Sequence, residues 1–137
     1  MSYAVSAALQ AAVFQQLYTD PVVSGLVGTH VYDAIPAGSV PQLYIALGSE
    51  TVRDASDKTG GGALHDLTVL VVSDAAGFTK AKEVAGAVSD ALVDSDLTLT
   101  RGALVWLNFL KARAARVGTG DTRRITLTFR ARVDDDN

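Results

Sequence analysis

Cysteine is absent from the 137-residue chain, which excludes a disulfide framework, thiolate metal sites and a cysteine nucleophile. It is also compatible with a reducing compartment. Aromatic residues make up only 7%, so valine, leucine and alanine must fill most of the core. No stretch approaches the roughly 20 consecutive apolar residues that a membrane helix needs. The first residues hold no basic segment leading into an apolar run, so no signal peptide is expected. Nor is there a surplus of positive charge. The formal net charge of −3 argues against a dedicated nucleic-acid binder. What is present is a hydrophobic fraction of 48%, ordinary for a globular fold. One domain over residues 1–133 is expected, followed by an acidic disordered tail at 134–137.

Catalytic constellations are equally scarce. His30 stands three residues before Asp33 and His65 directly precedes Asp66, too few ligands to converge on a metal. Both histidines are expected at the surface, near strand ends. No serine sits in a Gly-x-Ser-x-Gly elbow. Gly60-Gly61-Gly62 lacks the following Lys-Ser/Thr of a phosphate loop and leads into a strand. The reading is of a protein without enzymatic activity, cofactor or metal.

The strongest pattern runs from Arg124 to Val133. Ile125, Leu127, Phe129, Ala131 and Val133 alternate with Arg124, Thr126, Thr128, Arg130 and Arg132. Period-two alternation of this kind is a β-strand with one greasy and one cationic, wet face. Such a strand must close a sheet over a core or add to a neighbour's sheet. Upstream, Val5, Ala8, Leu9, Ala12, Val13 and Leu17 mark an amphipathic helix opening near Ser2 and ending near Thr19, before Pro21. Val22 to Leu26 suggests one more short turn, Val31-Tyr32 a short strand, and Leu43 to Leu47 another. Arg53 to Gly62 reads as a mobile, mixed-charge loop. Leu64 to Val72 resumes as a strand, apolar on both faces from Leu67 onward, as a covered central strand would be. Ser73 or Asp74 is placed to cap a second helix, whose stripe is Ala81, Val84, Ala85, Val88, Ala91 and Leu92. Ala103 to Leu110 and Arg113 to Val117 suggest a long fourth strand, turned by residues 118–121 into the closing one. The class is α+β: a mainly antiparallel sheet of four to five strands, two helices packed on one face, and a long-looped β-hairpin.

Seven of the twelve positive charges fall within the last 27 residues: Lys111, Arg113, Arg116, Arg123, Arg124, Arg130 and Arg132. If the last two strands pair, several of these share one face. The bland reading is a solvated strand face; the sharper one is a surface complemented by acidic groups of another subunit. DNA contact is a third, weakened by the net charge. The candidate interface comprises Arg53, Asp54, Asp57 and Lys58 of the loop with Arg113, Arg116, Arg124, Arg130 and Arg132. Asp94 and Asp96 supply further acidic candidates.

Leu17-Tyr18-Thr19-Asp20-Pro21, the run from Leu26 through Val27-Gly28-Thr29-His30-Val31-Tyr32-Asp33-Ala34-Ile35 to Pro36, and Pro41 stand in sequence. The strand Leu64 to Val72, the helix Lys80 to Leu92 and the closing pattern Arg123 to Val133 follow in order. Together these stretches resemble the tail terminators of tailed phages, also called tail-completion or head–tail joining proteins. The family tends to place an aromatic directly after the proline opening the second strand, whereas Gln42 and Leu43 here precede Tyr44. The family also occurs in phage-like gene transfer agents. The resemblance implies a homo-hexameric ring that caps the tail tube, stops its polymerisation and meets a head-side neck or stopper protein. DNA would pass through the ring without sequence-specific binding, and no membrane is involved. It further implies assembly in the bacterial cytoplasm and residence at the neck–tail junction of the particle. A neck stopper, a tail-tube subunit and an unrelated small ligand-binding module are the alternatives.

Overall fold

The computed structural model describes residues 3–58, 60–118 and 120–135. Along the chain run α1 (Ser6–Thr19), α2 (Pro21–Val27), β1 (Val31–Tyr32), β2 (Leu43–Asp54), β3 (Gly62–Ser73), α3 (Thr79–Leu92), β4 (Ala103–Arg116) and β5 (Arg123–Asp134). The strands form one sheet in the order β1-β2-β3-β5-β4, antiparallel throughout except for the parallel pair β1–β2. The expected α+β class is therefore found, with the short turn after Pro21 as a third helix.

Local chemistry sets the helix junction. Pro21 keeps Asp20 out of the helical region, at ψ 126°, so α1 stops at Thr19. The Asp20 carboxylate then accepts from the amides of Val22 and Val23 at 3.1 and 3.0 Å, capping α2 with proline in its first turn. Val5, Ala8, Leu9, Val13 and Leu17 are buried as the helical spacing predicts. The stripe expected on α3 is buried in full. That helix begins later than expected, however. Ser73 is a buried strand residue whose hydroxyl accepts from the Ala75 amide at 3.1 Å, and α3 starts at Thr79 without a side-chain cap.

All three helices pack on one side of the sheet, where they meet Ile45, Val69, Val71, Leu107, Leu127 and Phe129. The five apolar residues picked out on β5 are all buried there. Strand β3 is central, but covered on one face only. Its residues 64, 66, 68 and 70 stay half-exposed, and Leu70 and Val72 meet only Tyr32, Tyr44 and Ala46 in a small cluster on the open side. The expected covering of both faces is thus corrected. Lateral packing against aromatic neighbours within the sheet replaces a second layer.

The hairpin is longer and its loop shorter than the composition suggests. Arg53 and Asp54 pair with Leu64 and Ala63, so only residues 55–61 connect β2 to β3. Polar residues are tolerated there because β1 pairs only with Ile45 and Ala46, leaving the second half of β2 at the sheet edge. Inside the loop, Asp57 bridges to Gly60, and the Ser56 hydroxyl accepts from the Gly62 amide at 3.2 Å. At the other end of the chain, Asp134 closes β5 and Asp135 pairs with Arg101 at 2.9 Å. The rest of the expected acidic tail, Asp136 and Asn137, lies outside the described residues, as does Ser2.

Candidate functional site: the open sheet face

The face without helices carries the candidate residues. Five cross-strand rows span it. Arg53, Leu64, Arg132 and Trp106 form one row, and Thr51, Asp66, Arg130 and Asn108 the next. Thr68, Thr128 and Lys111 follow, then Ala46, Leu70, Thr126 and Arg113, and last Tyr44, Val72, Arg124 and Ala115.

Three register shifts build this surface. A strict period-two reading from Ile45 would turn Arg53 toward the helices. The irregularity between Leu47 and Glu50 reverses the phase, sending Glu50 and Val52 inward and Thr51 and Arg53 outward. Gly48 permits it, because a Cβ there would strike the Thr68 side chain, whose hydroxyl donates to the Ser49 carbonyl at 2.8 Å. On β4, the shift between Phe109 and Lys111 turns Lys111 and Arg113 outward, while Ala112 and Ala114 turn inward. The shift between Leu104 and Trp106 brings Trp106 beside Arg132.

Within this face the charges divide into two sets. Arg130 grips Asp66 in a bidentate pair, Nε to Oδ1 at 2.7 Å and Nη2 to Oδ2 at 3.0 Å. The hydrogen bonds from Arg130 hold the Asp66 carboxyl below its ordinary range against the effect of partial burial, with help from the charges of Arg130, Arg53 and Lys111. Arg132 donates to Asp134 at 3.3 Å, and its guanidinium lies across Gly62, where a Cβ would collide with it. Arg53, Lys111, Arg113 and Arg124 form no ion pair within 4 Å among the described residues. Arg124 acts on Tyr44, whose phenol is pushed up by burial and only partly drawn back by that charge.

The remaining candidates lie elsewhere. Arg116 pairs in register with Arg123 on the helix side and reaches the Gly120 carbonyl at 3.2 Å and Asp121 at 3.6 Å, closing its own hairpin. Arg123 is also structural, donating to the Ala75 carbonyl at 3.1 Å over the ring of Phe78. Asp54, Asp57 and Lys58 belong to the β2–β3 tip. There Asp54 accepts from the Ser56 hydroxyl at 2.6 Å, a bond that lowers the pKa of its carboxyl. Asp94 and Asp96 sit exposed in the connection from α3 to β4.

Of the two histidines expected at the surface, His30 is exposed and His65 needs correction. His65 is fully buried, because inward phase on β3 includes residues 63, 65 and 67. Its Nδ1 lies 3.2 Å from Glu50 Oε2, and Glu50 Oε1 accepts from Tyr3 and Ser6, each at 2.7 Å. Burial opposes ionisation of Glu50, yet these bonds from Tyr3, Ser6 and His65 outweigh it and hold the carboxyl below its usual value. An ionised carboxylate only accepts, so Nδ1 carries the proton. No signal short of the β2 register shift reveals this cluster. Among the described residues, no group of three His, Cys, Asp or Glu side chains is arranged to hold a metal ion.

Comparison with known proteins identifies the family of the chain. The family described as Tail completion protein gp17 matches residues 11–134. The chain belongs to that family. A chain in the solved structure "Virion of native gene transfer agent (GTA) particle" is 61% identical, with a TM-score of 0.91 over 97% of this chain and 99% of that one. No curated protein matches. The stretch from Leu17 to Pro21 that carried the resemblance is the α1–α2 junction capped by Asp20. The Gln42-Leu43 departure leaves Tyr44 in register with Val72.

Proposed function

We propose that this tail completion protein is a structural, non-enzymatic component of a phage-like particle such as a gene transfer agent. In this reading six copies form a ring that caps the tail tube, ends its polymerisation and joins it to head-side neck proteins, with DNA passing through the lumen. Assembly takes place in the bacterial cytoplasm, and the ring then stays at the neck–tail junction. The observation that carries the reading is the uncovered sheet face, with half-exposed aromatics and four cations that form no ion pair among the described residues. Arginine, tryptophan and tyrosine are the residues that dominate interface energetics, and unpaired guanidinium groups offer bidentate sites to carboxylates of a neighbouring protein. Family membership and the 61% match to a chain of a gene transfer agent virion support the same assignment. The tip at Asp54, Asp57 and Lys58 is the second candidate contact with the tube. Its internal bonds give it a defined shape for docking.

The test is the double substitution Arg113→Glu/Arg124→Glu. Both residues face outward without an internal partner, so the fold should persist. Electron microscopy of assembled tails should then show uncapped tubes of irregular length. Tails of normal length in that variant would remove the cationic face from the assembly. Long stacks formed by the purified wild type alone would instead identify a tube subunit.

A further inference from the structure

The three helices leave much of the edge strand β4 uncovered. On the helix side, Phe109, Ala112 and Ala114 of β4 are exposed, and with Ala85 and Gly86 of α3 they line a groove of about 350 Å³. Lys82 is the only charged residue on its wall. Phe109 is 46% exposed although its ring sits edge-on to the buried Phe129, at 6.0 Å between centroids. Among the described residues, the neighbouring edge of β4 has no strand beside it; it presents Val105 and Leu110, both at register shifts. Those shifts and the adjacent Lys111 interrupt a regular ladder, so an incoming chain meets side chains here more than backbone.

A complementary feature lies at the opposite edge of the same sheet. Residues 33–42 leave β1 and return to the start of β2. Nearly all of them are exposed, including Ile35 and Val40 at 50% and 45%. Pro36 and Pro41 restrict the backbone and remove two amide donors, and the stretch bends at residues 37–39, where Gly38 takes φ +77°. Asp33 is its only charged residue. An apolar segment with one acid thus stands at one edge, and an apolar groove with one base at the other.

From these we infer that residues 33–42 of one copy seat Ile35 and Val40 in the α3–β4 groove of the next copy, with Asp33 facing Lys82. Because the two patches differ and occupy opposite edges of the sheet, the contact is head-to-tail and propagates into a ring. This rests on the ring assignment proposed above and names the surfaces that would close it.

The absence of cysteine makes the test direct. Gly86 has open space around its Cβ position, so Ile35→Cys/Gly86→Cys adds the two thiols without steric conflict. Mild oxidation should give a ladder of cross-linked species ending at a closed ring, whereas either single variant should stop at dimers. Gly86→Arg fills the groove and Ile35→Asp spoils the inserted segment. Each should lower the mass seen by light scattering from oligomer to monomer while leaving the circular dichroism spectrum unchanged. A wild-type oligomer that survives both substitutions and yields no ladder overturns this contact while leaving the ring intact. A wild type that stays monomeric at every concentration, even beside assembled tail tubes, overturns the ring and the contact together.

Discussion

Replacing Glu50 by alanine should cost far more stability than its place on an edge half-strand suggests. Its carboxylate satisfies three donors, of which Ser6 and His65 are buried at 5% and 0% exposure, while Tyr3 is largely solvated. His65 already carries one buried ring nitrogen, Nε2, without a partner. Orphaning a buried polar group costs about 1–3 kcal/mol, so Glu50→Ala should lose roughly 2–6 kcal/mol from the two buried donors. That is a large share of the ~5–15 kcal/mol that holds a typical domain together. Glu50→Gln keeps an acceptor oxygen and should recover about half of the loss. The assay is urea denaturation followed by circular dichroism, with the midpoint shifting at constant slope. Acid supplies an internal control. Because the folded-state pKa of Glu50 is depressed, the ionised carboxylate stabilises fully above its unfolded pKa of about 4.3 and ceases to do so as pH falls through the lower folded value. The gap between wild type and Glu50→Ala should therefore narrow below about pH 4. A loss under about 0.5 kcal/mol at neutral pH, or a gap unchanged in acid, would refute the account, since buried orphans cannot be that cheap.

The Asp66–Arg130 pair is about 30% exposed on both sides, so a double-alanine cycle should return a coupling of about 1 kcal/mol. With Asp66 depressed, that coupling should be complete above about pH 4 and fade below it, as read from the same urea curves at two pH values. Two glycines should respond in opposite senses to alanine. Gly102 adopts φ +72° and its Cβ would meet the Asp134 carbonyl at 2.6 Å, so Gly102→Ala should cost about 2–4 kcal/mol. Gly86→Ala, in an open helix interior, should add up to about 1 kcal/mol, and thermal melts would rank the two. Phe129→Ala should lose about 3–5 kcal/mol through the cavity left beneath β4, measured by the same denaturation.

How far the sequence alone reaches is visible in particular residues. The Arg124 to Val133 alternation, the stripes on α1 and α3, and the break at Pro21 all rest on local periodicity and sterics, and the structure follows them. What periodicity cannot supply is phase across an irregularity. Arg53 reaches the open face because the ladder slips at Gly48, while on β4 the slip near Val105 turns Trp106 and Asn108 outward and the one at Leu110 keeps Lys111 and Arg113 on that same face; a slip leaves no period of its own. The same cause hides Glu50 and His65, polar residues that a straight strand would have left apart. Arg116 and Arg123 show the converse. Both count among the clustered C-terminal cations, and Arg116 among the candidate interface residues, yet their register turns them to the helix side to brace a hairpin and a loop.

The position of β5 has a consequence for biogenesis. Made last in chain order among the strands, it is threaded between β3 and β4, and β4 has no other neighbour. Until that stretch emerges, β4 is a long greasy ribbon with nothing to hydrogen-bond. A polypeptide cut short before Arg123 therefore lacks the keystone of its sheet.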